Sequence, residues 1–449
     1  MTPVPRFSEN RRQILHMAMG GFALLLRFIS WWEAAALAAF ALAFNLYALP
    51  RIVGPHVFRE GEHARRYSSG ITLYPLAILL LICLLPERPD IVAAAWGILA
   101  IGDGIATILG RAIDGPRIPW NREKSVAGSA AFVLFGGTAG AFLCWWSVPA
   151  VVPPPYAWFV VAGPFAAALV AAAVETIPIR LDDNVSVTAA AAAVLWWLSL
   201  VSQDSAARAA ADAVRLVPIA IALNVAVAGT GYLARTVSRS GAIVGALLGI
   251  AVTLSAGWRG WLLLLATFGV AVMASRMGLR RKTLLGIAEG RGGRRGAGNA
   301  VANTGVATAA ALLAVTSGAS GPAMIAFVAA LAAGGSDTIA SEIGKAWGRR
   351  TFLFPSFRHV APGTSGAISP EGTAAGLIGA LILGSLGVAL GLVPAAALLP
   401  VVIGATIGSF AESAMGATLE GAGFVNNDVL NFLNTAIAAA AAVSLAKVI

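Results

Sequence analysis

The chain has 449 residues, 58% of them hydrophobic and 12% charged, with a mean hydropathy of +0.81 and a formal net charge of +10. A soluble domain carries about 25% charged residues, so a soluble fold is excluded. The absence of alternating strand-like segments excludes a β-barrel.

What remains is an all-α polytopic transmembrane bundle, with apolar runs that match a hydrocarbon core about 30 Å thick. Candidate spans fall at about 14–31, 32–50, 71–86, 90–110, 126–147, 156–177, 185–202, 214–232, 241–256, 260–275, 299–316, 322–344, 372–391, 395–415 and 431–448, about fifteen in all. The N-terminus starts like a signal peptide. It lacks a clear small-residue cleavage site and another apolar run follows at once, so the first helix is expected to be retained. With these spans, loops on the side of the N-terminus hold 25 of the 31 Lys and Arg residues, and Arg88, Arg208, Arg215 and Arg259 lie opposite. The positive-inside rule then makes the N-terminus and the basic loops cytoplasmic, with a bacterial or archaeal plasma membrane as the expected location. The net positive charge thus reflects topology, and no nucleic-acid partner is expected. Cys83 and Cys144 lie in apolar runs and read as small buried hydrophobes. His16, His56, His63 and His359 lack ligand spacing. The Ala-rich, mildly polar run at 202–213 is a natural joint between two domains, 1–205 and 206–449, which show no internal repeat by eye.

In the first domain, IGDGIATILGR places Asp103 in a membrane helix, where a carboxylate needs a partner or a function. RAIDGPRIPWNREKSVAGS then gathers Arg111, Lys124 and Ser125 ahead of Gly128, at a helix start whose free N–H groups suit an anion. VETIPIRLDDNVSV supplies Glu175, Asp182, Asp183 and Asn184, the last three also readable as a helix N-cap. Carboxylates beside a Lys/Arg loop are the parts needed to hold Mg²⁺ and a polyphosphate.

In the second domain, the loop before Asn299 and Asn303 contributes Arg294 and Arg295. GGSDTIASEIGK carries Asp337 and Glu342, which lie five residues and so about 140° apart on a helix, too far to chelate one ion together. PGTSG is a Gly-rich turn whose Gly363, Thr364 and Ser365 can aim backbone N–H groups at a phosphate, although no Walker A pattern occurs. Glu412 and Ser413 follow. Asn427 and Asp428 lead into the last span and Asn431 opens it; Asn427, Asn431 and Asn434 share one helix face and mark a polar interior.

HMAMGG after Arg11 and Arg12, GDGIATILGR, NREKSVAGS and ETIPIRLDDN, over residues 10–200, resemble the ordered motifs of the phytol kinase and dolichol kinase family. These are membrane enzymes that phosphorylate isoprenoid alcohols, typically with CTP. GGRRGAGNAVANTG, SDTIASEIGK, PGTSGAISPEGT and ES..GATLE with NND..NFLNT, over 216–449, resemble the phytyl-phosphate kinase family. There Glu412–Ser413 stands where that family has an Asp–Ser pair. The two resemblances together imply a bifunctional kinase that converts an isoprenoid alcohol such as phytol, geranylgeraniol or farnesol to its monophosphate and then to its diphosphate. The residues themselves point to Mg²⁺ at Asp103, Glu175, Asp182, Asp183, Asp337 and Glu412, and the resemblance to the alcohol kinases implies CTP or another nucleoside triphosphate as donor. Catalysis would fall to Asp103, Lys124, Asp337 and Glu342. Phosphates would be held by Arg111, Ser125, Gly128, Arg294, Arg295, Asn299, Asn303 and the PGTSG turn. A lipid-phosphate transporter, a cytidylyltransferase in place of the first kinase, and a single alcohol kinase with a non-catalytic C-terminal half are the alternatives.

Overall fold

The computed structural model describes residues 9–53, 69–113, 115–287 and 294–448; His56, His63 and Glu289 lie outside the described residues. The chain divides into two compact units, Met1–Ser199 and Leu200–Ile449. Both are helical, and the protein is an integral, polytopic membrane protein.

The first unit runs α1 (Glu9–Met19), a 3₁₀ segment, α2 (Trp31–Ala43), a π-turn, α3 (Leu49–Val53), α4 (Ser69–Leu84), α5 (Pro89–Gly97), a π-turn (Ile98–Asp103) and α6 (Gly104–Ala112). A small hairpin of β1 (Arg117–Ile118) and β2 (Asn121–Ser125) leads into α7 (Val126–Ala131), a further π-turn and α8 (Gly137–Ser147), followed by α9 (Ala157–Glu175) and α10 (Asp183–Ser199). The second unit holds α11 (Gln203–Leu233), α12 (Arg239–Arg276), α13 (Leu279–Leu284), α14 (Ala297–Thr316) and α15 (Ser320–Trp347). It continues with a three-stranded sheet of β3 (Phe352–Leu353), β4 (Arg358–His359) and β5 (Ala367–Ile368) in the order β4-β3-β5, then α16 (Pro370–Ala389), α17 (Leu398–Met415) and α18 (Asn427–Leu445).

Ten helical segments among the described residues are long and apolar enough to cross a membrane, fewer than the fifteen expected. The expected spans at 14–31, 32–50, 71–86 and 185–202 are interrupted or shorter: α1 tightens into 3₁₀ after Met19, α2 passes through a π-turn, and α4 and α10 have 16 and 17 residues. The expected spans 241–256 and 260–275 are two arms of α12, broken at Gly257, whose φ of 64° only glycine adopts freely. Both ends of that segment meet Arg295, through the Ser238 amide at 3.0 Å from its carbonyl and the Ser275 hydroxyl at 3.4 Å from its guanidinium. The arms therefore run antiparallel, as a helical hairpin. The run at 202–213 forms the first three turns of α11, capped by the Ser202 hydroxyl on the Ser205 amide. Cys144 is buried as expected, whereas Cys83 is exposed on α4.

Each unit is built around one helix buried on all sides. In Pro89–Ala112, 72% of the apolar window is buried, and in Ser320–Trp347 67%, against 11–44% for the other spans. Residues 90–100 and 327–336 are fully enclosed, a pattern that an all-round apolar helix dictates. Asp103 and Asp337 stand just past the ends of these two enclosed stretches.

Candidate active sites

In the first unit, Asp103 ends the π-turn of the central helix, a local widening that recurs at functional positions. Glu175 is the last residue of α9 and Asp183 the first of α10, so the turn between those helices aims both at Asp103. One carboxylate oxygen of each of the three lies within 4.8 Å of the others. At an effective dielectric of about 20, each like-charged pair at that distance costs about 3–4 kcal/mol. The β-hairpin lays one cation among them. It is pinned to the end of α9 by Trp120 and Asn121, which donate to the Thr176 hydroxyl and carbonyl at 3.1 and 3.2 Å. Lys124 then donates to Glu175 at 2.6 Å and to Asp183 at 3.1 Å. Burial alone would lower the Lys124 pKa, but Glu175 and Asp183 outweigh it and hold the ammonium above its ordinary value. One ammonium leaves the cluster with charge to spare, and an all-oxygen donor set of this kind suits a hard divalent cation.

His16, for which the sequence offered no ligand spacing, completes this site from α1. Its Nε2 is 3.7 Å from Asp103, is buried and has no hydrogen-bond partner. Other expected residues serve the scaffold. The Asp182 carboxylate accepts from the Asn184 amide and side chain at 3.0 and 2.6 Å, an N-terminal cap for α10 that lies outside the three-carboxylate cluster. Ser125 caps α7 by accepting from Gly128 at 3.1 Å, and a side chain at Gly128 would meet the Ala106 carbonyl at 3.1 Å, so both are spent on close helix contact. Arg111 is exposed in the last turn of α6.

The second unit encloses a polar cavity of about 350 Å³. Its walls bring together Arg295, Asn299, Asn303, Asp337, Gly363, Thr364, Ser365, Glu412, Ser413, Asn427 and Asn431, residues scattered over 137 positions of sequence. Asp337 and Glu412 are in hydrogen-bonding contact with each other. Asn434 donates to Glu412 at 2.8 Å, and its own carbonyl oxygen is fully buried without a partner. Two carboxyls so close require a shared proton or a cation. Positive potential comes from Arg295, from Lys345 and from the first turns of α14, α16 and α18, which all border the cavity. The PGTSG turn needs positive φ at Gly363 (86°) and Gly366 (74°). Ser365 ties it to the π-turn Gly416–Glu420 that follows α17, by donating to the Gly416 carbonyl at 3.1 Å and to Glu420.

Three expected residues lie elsewhere. Glu342 is not on the cavity wall: it is buried in an ion pair with Lys282 of α13 and also receives Lys345 at 3.1 Å. Arg294 is exposed and Asp428 packs over Gly298 at the start of α14; neither lines the cavity. The carboxyl pair lies well inside the helices, since Asn434, which donates to Glu412, stands seven residues, about 10 Å, into α18. Sequence reasoning passed over His16 and Lys282, which reveal themselves only through partners far away in the chain, and Lys345, which lies on the cavity wall.

Residues 222–439 match the family described as integral membrane protein DUF92. An uncharacterized membrane protein of Synechocystis is 39% identical over 206 residues, which are 44% of this chain and 78% of that one. Protein VTE6 of Arabidopsis thaliana, chloroplastic, is 33% identical over 234 residues, 51% of this chain and 70% of its own length. Phytol kinase 1 of Arabidopsis thaliana, chloroplastic, is 34% identical over 135 residues, 29% of this chain and 43% of the kinase, so the chain spans less than half of that relative. No solved structure matches. The polar cavity, from Arg295 to Asn431, falls wholly inside the matched region, and the chain belongs to the integral membrane protein DUF92 family.

Proposed function

We propose that the protein is a bifunctional membrane kinase. The first unit would phosphorylate an isoprenoid alcohol, and the second would phosphorylate the resulting monophosphate to the diphosphate. The observation that carries the reading is the pairing, in each unit, of a carboxylate cluster with cations at the end of an enclosed helix. Its likeness to a plant phytol kinase supplies the substrate class.

In the first unit Asp103, Glu175 and Asp183 would hold Mg²⁺, and in the second Asp337 and Glu412, with the unpartnered Asn434 oxygen of the second site as a further donor. Mg²⁺ bound there supplies charge neutralisation on phosphoryl oxygens. Lys124 uses two of its three N–H donors on carboxylates and keeps the third for a donor phosphate. The His16 Nε2, which has no hydrogen-bond partner, would take the alcohol proton as the oxygen attacks. The second acceptor is already anionic and needs no base. There Arg295, Lys345 and the amides of the PGTSG turn would orient two phosphate groups in line, which is most of what a loose phosphoryl-transfer transition state asks of a protein. Basic loops on the cytoplasmic face would give both sites access to nucleotide.

Purified protein supplied with phytol, farnesol or geranylgeraniol and each labelled nucleoside triphosphate tests this, with lipid monophosphate and diphosphate separated. Asp103→Asn is expected to abolish the first transfer, and Asp337→Asn to let monophosphate accumulate. If Asp337→Asn forms diphosphate from supplied monophosphate at the wild-type rate, the second site is misassigned. The depth of the Asp337–Glu412 pair favours one second reading, transport of a lipid phosphate across the bilayer. Nucleotide-independent movement of labelled isoprenyl phosphate between leaflets, without diphosphate formation, would establish it instead.

A further inference from the structure

We infer that the groove between α11, the α12 hairpin and α14 is the seat of the isoprenoid tail for the second phosphorylation, which deepens the kinase reading and rests on it. An apolar cavity of about 140 Å³ lies there, walled by Trp261, Leu264 and Phe268 on one arm of α12 and by Gly241, Gly245 and Gly249 on the other. Arg295, Asn299 and Asn303 border both this groove and the polar cavity, so the two spaces adjoin along one helical turn of α14. A ligand occupying both must be an amphiphile with an anionic head at Arg295 and an apolar tail. Asn224 also lines the groove, beside Trp261, and accepts from Trp261 at 3.1 Å and donates to Thr253 at 3.0 Å. Because those polar groups satisfy one another, they gain nothing from a polar ligand group. From Trp261 to Ala271 the wall extends ten residues, about 15 Å, half the thickness of the hydrocarbon core. The groove therefore takes the head-proximal part of a long tail.

Gly245 supplies the test, because it lines the groove and a Cβ built there meets no atom within 4 Å. Full-length Gly245→Phe in nanodiscs is assayed with phytyl monophosphate and with the short-tailed geranyl monophosphate. The ratio of kcat/KM for the long substrate to that for the short one is expected to fall about tenfold or more, mostly through KM. In parallel, phytyl monophosphate carrying a tail diazirine is crosslinked to the wild-type chain, and the labelled peptides are mapped. Label in 258–271 that phytyl monophosphate competes away, and phosphatidate does not, supports the groove even in a preparation that makes no diphosphate. In that case the kinase reading fails and the tail site stands. Label elsewhere, equal competition by phosphatidate, or an unchanged substrate ratio in an active Gly245→Phe protein overturns the groove and leaves the kinase reading intact.

Discussion

Glu342 and Asp337 share α15, and their surroundings assign them different work. The side chains of Lys282 and Glu342 are 1% and 2% exposed, and Lys282 also donates to the Ser275 carbonyl at 2.8 Å. Removing one member of such a pair strands a charge away from water, at a cost of about 3–5 kcal/mol. Glu342→Gln is thus expected to lower the melting temperature of the purified protein markedly, and Lys282→Met combined with Glu342→Leu to recover much of the loss. Asp337→Asn is expected to remove diphosphate formation with a far smaller change in melting. Similar melting losses in both single variants would refute this division. The helical angle between the two acids was legible in sequence, and it kept them from one shared ion. The partner of Glu342 was not, because Lys282 stands 60 positions earlier on a six-residue helix. His16 was hidden for the same reason, since its meeting with Asp103 crosses 87 positions. If it is the base for the alcohol, His16→Gln lowers the first transfer about a hundredfold and leaves phosphorylation of supplied monophosphate untouched. A matching loss in both steps would mean that His16 serves packing alone.

Elements were legible where the hydrophobic pattern and the breakers agreed. The two expected spans around Gly257 correspond to the two arms of α12, because a glycine at φ 64° reverses the chain within continuous apolar sequence. The mildly polar run at 202–213 is helical because its alanines favour helix and its Ser202 supplies the cap. π-turns carry no sequence signature of their own, yet Ile98–Asp103 and Gly416–Glu420 present Asp103 and Glu420 to the two sites. The PGTSG turn was legible as a turn but not as a clamped one. A side chain at Gly366 would run into the backbone of Ser413 and Ala417 in addition to the strain of its φ of 74°. Gly366→Ala should therefore cost about 1–3 kcal/mol locally and push the turn off α17. The expected readout is a raised KM for the nucleotide in monophosphate phosphorylation, with alcohol phosphorylation retained. A KM equal to that of the wild type would show that the turn does not touch the donor.

At the scale of the whole molecule, two units without alignable sequence each enclose one helix and set a carboxylate just beyond its enclosed stretch. That common plan was visible only in part, since the carboxylates stand out in an apolar chain but complete enclosure of their helices depends on neighbours brought from elsewhere. If the units act in series, the intermediate is a single-tailed lipid phosphate. Each buried CH₂ holds such a lipid in the bilayer by about 0.8 kcal/mol, so a long isoprenoid tail makes escape into water slow while lateral movement stays free. The second unit then needs no direct handover from the first. Asp103→Asn protein and Asp337→Asn protein reconstituted into the same vesicles should convert alcohol to diphosphate after a lag, as monophosphate from one variant builds up in the membrane for the other. The same two proteins in separate vesicles should yield monophosphate and little diphosphate. Time courses of both products, at equal protein per lipid, decide the matter: if co-reconstituted variants accumulate monophosphate as fully as the separated ones, transfer occurs only within one chain, and a guarded path between the units must replace free diffusion.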